Sequence, residues 1–356
     1  MERGILAQPT PVGGDGDDGY ELVHAGMLHG FGELVASLGG DAAGLLRQHG
    51  IDPAEPAGSG AGATYRQVLT LIEEAAAALD CRDFGLRLAR LQGGAGATFG
   101  PLGRVMRNSA TFGDALGYVS GHNYAHSLAA RIWLRPLPAE RAVFVGHDIL
   151  LEGIPKRGQA MEQILLLGHL AAREITGGRA RVRRVHFRHQ PLSPRAVYRR
   201  AFGCEVRFGD SADGVVFSEA DLAAPVIERD PLAYSEAIAF IEARFTRHRP
   251  PVHAEVRGIV MRRLGTAPCT NEGVAAELGL HPRTLHRRLR AEGTSFQQVK
   301  DEVRRDAVLY YLESTDLDLA EVSEKLGFAE QSVLTRRCHR WFAAPPTQVR
   351  ARVRGG

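Results

Sequence analysis

The densest set of side chains able to recognise another molecule lies just after Pro282. Arg283, Thr284, His286, Arg287 and Arg290 follow one another there at helical spacing. An arginine fork fits the O6 and N7 acceptors of guanine, and hydroxyl and imidazole groups bond to base edges or phosphates, so the combination suits nucleic acid. A second set, Gln331, Ser332, Thr335 and Arg336, stands 48 to 49 residues further on. Charge runs the same way. Residues 251–356 hold 17 Lys+Arg against 13 Asp+Glu, whereas residues 1–250 hold 27 against 28. A local basic excess is what neutralising phosphates requires.

Each set needs a rigid helix, and the sequence around it supplies one. In NEGVAAELGLHPRTLHRRLRAEG, Val274, Ala275 and Leu278 share one helical face. Gly279 suits a positive-φ turn, and Leu280, Leu285 and Leu289 form the inner face of a second helix that starts at Pro282. Arg283, Thr284, His286, Arg287 and Arg290 are then left outside. Ser295 and Gln298 read as a capping box opening a helix to about Glu313. In DLAEVSEKLGFAEQSVLTRRCHRWF, Asp318 and Glu321 form another box and Gly327 takes the turn, with Val333, Leu334, Cys338 and Trp341 inside. Gly279 and Gly327 are 48 residues apart, as are Val274 and Val322, Leu278 and Leu326, and Leu280 and Phe328, so a helix-turn-helix unit is duplicated. A connecting helix of about 18 residues, roughly 27 Å long, can hold two recognition helices near one DNA turn apart.

These residues resemble the AraC/XylS family of transcription regulators over about residues 251–354. The resemblance implies promoter binding at tandem sites, with base-reading positions falling on Arg283, His286 and Arg287 in the first unit and on Gln331, Ser332, Thr335 and Arg336 in the second. Some positions depart from the family pattern. His281 and Ala329 stand where members often have a capping Ser, Gln331 where Pro is common, Cys338 where Phe is, and Ala343 where Gly is. The second unit is therefore expected to position the protein more than to read sequence.

Upstream, short helical patterns run from Leu28 to about Tyr124, broken by glycine-rich stretches at 56–64 and 91–100. Two alternating segments around Pro138-Ala139-Glu140 read as paired strands, and a long helix runs from Gln159 to Ile175. Strands at 181–187, CEVRFG and GVVFSE, a helix at 194–202 and a closing helix before Pro250 make an α+β unit. It resembles the arabinose-binding-like sensor branch of the same family, which implies ligand sensing without naming the ligand. His122, Tyr124, His126 and Met161 are the candidate ligand-binding residues. His147 is clustered nearby, and Glu162 reads as a solvated helix charge.

Catalytic signatures are missing: there is no GxSxG, HExxH, GxxxxGK[ST], or GxGxxG after a strand. Cys81, Cys204, Cys269 and Cys338 are scattered without a CxxC pair, which favours a reducing cytoplasm, and Cys204 reads as a buried structural thiol. No metal and no cofactor are expected, and no segment is apolar and long enough to span a membrane.

The fold expected is an α+β sensor domain followed by an all-α DNA-binding domain of two helix-turn-helix units joined by a helix. The domain plan is a flexible tail over 1–22, a sensing and oligomerisation domain over 23–245, a linker over 246–268 and the DNA-binding domain over 269–356. The partners expected are promoter DNA, RNA polymerase, a small-molecule effector and a second copy of the chain. A constitutive DNA-binding factor whose N-terminal domain only oligomerises stays open as the alternative.

Overall fold

Glycine-separated amphipathic segments fold as short helices because each can bury only one face. The computed structural model describes residues 20–23, 25–53, 63–94, 97–154, 156–245 and 249–355. Of the expected tail over 1–22, residues 1–19 lie outside the described residues.

The N-terminal half begins with α1 (Phe31–Ser37), α2 (Ala42–Gln48), α3 (Tyr65–Ala78), α4 (Phe84–Gln92), α5 (Gly100–Asn108) and α6 (Phe112–His122). Thr64 and Thr111 start α3 and α6 through reciprocal capping boxes with Gln67 and Asp114. Strands β1 (Ala130–Leu137) and β2 (Ala142–Ile149) pair antiparallel across the turn at 138–140. There follow α7 (Gly158–Ile175), β3 (Arg184–Phe187), α8 (Arg195–Phe202), β4 (Glu205–Phe208), β5 (Gly214–Ser218), α9 (Glu219–Leu222) and α10 (Pro231–Arg244). The sheet order is β1-β2-β5-β3-β4, with β3 and β4 parallel and the other pairs antiparallel.

Helix α7 packs against α3 and α4, and Gly85 permits the approach: a Cβ there would stand 1.9 Å from the Gln159 carbonyl oxygen. The Glu73 carboxylate accepts from the Gln159 and Ala160 N–H groups at 2.7 and 3.2 Å, satisfying donors at the start of α7. Burial pushes the Glu73 carboxyl up to about 7. Glu162, expected in solvent, is fully buried instead. The Tyr198 hydroxyl donates to it at 2.6 Å, and desolvation raises its pKa well above the carboxylate range, because α8 covers that turn of α7. Cys204, expected to be buried, is half-buried.

The C-terminal half is helical throughout: α11 (Val252–Arg263), α12 (Asn271–Glu277), α13 (Pro282–Ala291), α14 (Phe296–Ser314), α15 (Leu319–Lys325), α16 (Gln331–Phe342) and α17 (Pro346–Gly355). One apolar core joins these helices. The expected linker over 246–268 needs correction. Its central twelve residues form α11, whose Val256, Ile259 and Val260 are fully buried in that core. Among the described residues, no helix is long and apolar enough to cross a membrane.

Candidate nucleic-acid interface and effector cavity

Gly279 and Gly327 hold φ of 65° and 64° at equivalent turns, a conformation that costs other residues a Cβ clash. Beyond the first turn, His281 caps α13 through its Nδ1, which accepts the Arg283 N–H at 3.2 Å, and Pro282 takes the first helical position. Leu285 and Leu289 are fully buried, so the rest of the helix is turned outward. Arg283, His286, Arg287 and Arg290 are exposed and Thr284 is half-buried. None of the four arginine and histidine side chains forms a hydrogen bond or ion pair with another described residue, so their donors are available to an incoming acceptor.

The second unit is built differently. Asp318 and Glu321 complete their capping box at the start of α15. The cap of α16 is Glu330, not Ala329, and its side chain accepts from the Ser332 hydroxyl at 3.0 Å without bonding a backbone N–H of the helix. The Thr335 hydroxyl donates back to the Gln331 carbonyl at 3.2 Å. Gln331 and Arg336 remain exposed, while Arg337 pairs with Asp301 at 3.0 Å. The two units are joined by the 19 residues of α14, a rise of about 28 Å. Ser295 caps that helix through one half of the expected box.

In the N-terminal half, α3, α5, α6, α7 and strands β1, β2 and β5 enclose a cavity of about 100 Å³, measured as space open to the centres of water-sized spheres. Of the four expected ligand residues, only His126 lines it. The ring of His122 stacks on Tyr118 at 3.9 Å and its Nδ1 meets the Tyr118 carbonyl at 2.9 Å, one helical turn back. Tyr124 tilts against His122 at 5.7 Å outside the lining, and Met161 faces a different cleft, beside Met261 and Tyr310. His147, singled out only as a neighbour, does line the cavity, with its Nε2 3.3 Å from the Tyr65 hydroxyl. Burial lowers its pKa to about 4, so the ring is neutral at pH 7. Sequence reasoning missed Tyr65 and Thr98, which lie among apolar residues with no local pattern marking them.

Helix α11 links the N-terminal sheet to α12. Asp148 follows His147 on β2 and pairs with Arg262, which also pairs with Glu277 of α12 at 2.6 Å. Nearby, Arg257, 2% exposed, bonds Glu152 at 2.9 Å, Glu302 at 3.0 Å and Asp306 at 3.2 Å.

Two helix-turn-helix units on a shared connecting helix, docked on an α+β domain with an internal cavity, define a DNA-binding transcription regulator. Residues 39–226 match the N-terminal arabinose-binding domain of the AraC transcription regulator, and residues 274–352 match a helix-turn-helix domain. The chain belongs to the AraC family of transcription regulators.

It is 34% identical over 330 residues to the HTH-type transcriptional regulator VirS of Mycobacterium tuberculosis, spanning 93% of this chain and 96% of that one. The ornithine utilization regulator of Pseudomonas aeruginosa is 38% identical over 95 residues, 27% of this chain and 28% of that one. Among solved structures, the transcriptional regulator CdpR of Pseudomonas aeruginosa is similar at 21% identity with a TM-score of 0.42, covering 86% of this chain and 96% of that one.

Proposed function

We propose that the chain is a ligand-responsive activator that reads promoter DNA chiefly through Arg283, His286 and Arg287, with Thr284 and Arg290 at the flanks of the same helix. Gln331, Ser332, Thr335 and Arg336 of the second unit hold the protein in register on the neighbouring groove. The observation that carries this reading is the outer face of α13, where Arg283, His286, Arg287 and Arg290 have no hydrogen-bond or ion-pair partner among the described residues, against an α16 whose hydroxyls are already engaged. An effector in the N-terminal cavity acts through the α11 contacts by binding one domain arrangement more tightly than another. Promoter DNA and RNA polymerase are the macromolecular partners in this cytoplasmic role, with a second copy of the chain joining through the N-terminal domain. No catalytic step belongs to the reading, since the relatives named above are regulators.

The test compares Arg287→Ala with Arg336→Ala on a panel of single-base variants of the target promoter. Arg287→Ala is expected to lose about 1–3 kcal/mol of discrimination at one base position, and Arg336→Ala to weaken binding evenly across the panel. The opposite pattern would overturn the division of labour.

A further inference from the structure

The cavity's chemistry narrows what it can hold, and this step rests on the sensing role proposed above. No Asp, Glu, Lys or Arg lines it. A carboxylate or ammonium ligand would therefore enter a low-dielectric site without a permanent counter-charge, which disfavours it against an uncharged one. The His147 ring does not supply one near neutrality, because burial holds it neutral.

A sugar fits no better. Of the polar side chains present, His126 has an interaction of its own within the protein, Tyr65 and His147 already face each other, and the Asn123 amide already donates to the carbonyls of Ser127 and Ala130 at 3.2 and 2.7 Å. Four or five sugar hydroxyls would find too few partners. The Thr98 hydroxyl is buried, in a residue only 2% exposed, and has no hydrogen-bond partner among the described residues. A buried polar atom in that state calls for a partner. The rest of the wall is aliphatic and aromatic, including Leu102, Phe112, Val119, Val145 and Phe217. The space of about 100 Å³ is of the order of the roughly 150 Å³ apolar cavity that accepts a benzene ring.

We propose that this cavity binds an uncharged, mainly apolar effector about one aromatic ring in size, with a single polar group that hydrogen-bonds to Thr98. Gly168 offers a clean way to close the site. It lines the cavity inside α7, and a Cβ added there meets nothing within 4 Å. A leucine would grow into the empty space while improving helix propensity.

The experiment measures thermal shift and calorimetric binding of the full chain with benzyl alcohol, toluene, benzoate and L-arabinose. Benzyl alcohol is expected to stabilise saturably, toluene more weakly, and benzoate and arabinose not at all. Gly168→Leu should abolish the benzyl alcohol response while keeping promoter binding. Thr98→Val should weaken benzyl alcohol about tenfold and leave toluene unchanged. Preference for benzoate or arabinose, or no response to any of the four, overturns the ligand class. Benzyl alcohol binding that survives Gly168→Leu overturns the location. If benzyl alcohol binds wild type, is lost in Gly168→Leu and leaves promoter affinity unaltered, the ligand class stands and the sensing role fails instead.

Discussion

The two helix-turn-helix units share a turn glycine, an apolar inner face and a connecting helix, yet they differ in what surrounds their outer faces. In the first, α13 carries Arg283, Arg287 and Arg290 without a bond to another described residue, and α11 and α12 behind it are tied to the N-terminal domain through Arg257 and through Arg262 with Asp148 and Glu277. In the second, α16 begins on a carboxylate, its hydroxyls are engaged, and α15 reaches the N-terminal domain through Lys325, which donates to the Gly209 carbonyl at 3.1 Å. Duplication of a fold unit therefore does not duplicate its surroundings. The unit that presents its donors is also the one clamped to the domain that holds the cavity.

The largest expected effect tests that clamp. Arg257→Ala would leave Glu152, Glu302 and Asp306 without their shared cation, and denaturant unfolding should register a loss of about 1.5–3 kcal/mol, since the carboxylates left behind reach solvent. Lys325→Ala removes one hydrogen bond to a carbonyl and should cost under about 1.5 kcal/mol. Equal losses would erase the asymmetry between the units.

A smaller effect concerns how the two helices end. Gly293 follows α13 with φ of 74°, whereas α16 ends on Ala343 with φ of 52°, where a Cβ is strained. Ala343→Gly should raise stability by about 0.5–1 kcal/mol, read as a higher melting temperature; a lower one would mean that the local packing of the Ala343 methyl outweighs the backbone strain.

The smallest effect is at the start of α16. Glu330→Gln removes a negative charge from a helix end that the proposed function turns toward phosphates and should tighten promoter binding about threefold at low salt, the gain shrinking as salt rises. A salt-independent change would place Glu330 away from the DNA backbone.

Much of the C-terminal half was legible because its signals are local. Pro282, Asp318 with Glu321, and the glycines at 279 and 327 act within one turn of chain, so their meaning survives without tertiary context. Helix α11 was read as linker for a physical reason. It is pressed between the two halves, buries Val256, Arg257, Gly258, Ile259 and Val260 in succession, and so lacks the one-sided apolar stripe by which a surface helix is recognised. Of the expected ligand residues, His122, Tyr124 and Met161 lie outside the cavity lining for a related reason. His122 and Tyr124 look conspicuous in sequence but satisfy each other and Tyr118 locally, whereas Tyr65 and His147 are separated by 82 residues and meet only when α3 and β2 fold against each other.

What the sequence determined by itself is the pair of outward-facing helices α13 and α16: the start of α13, the two turns and the outward arginines follow from capping, glycine conformation and a 3.6-residue period. What only the tertiary structure decided is which donors are free and where an effector can sit. Whether Arg287 stands alone while Arg337 is paired, and whether Thr98 faces an empty space, depends on atoms distant in the chain, and burial and partnership are properties of the packed whole.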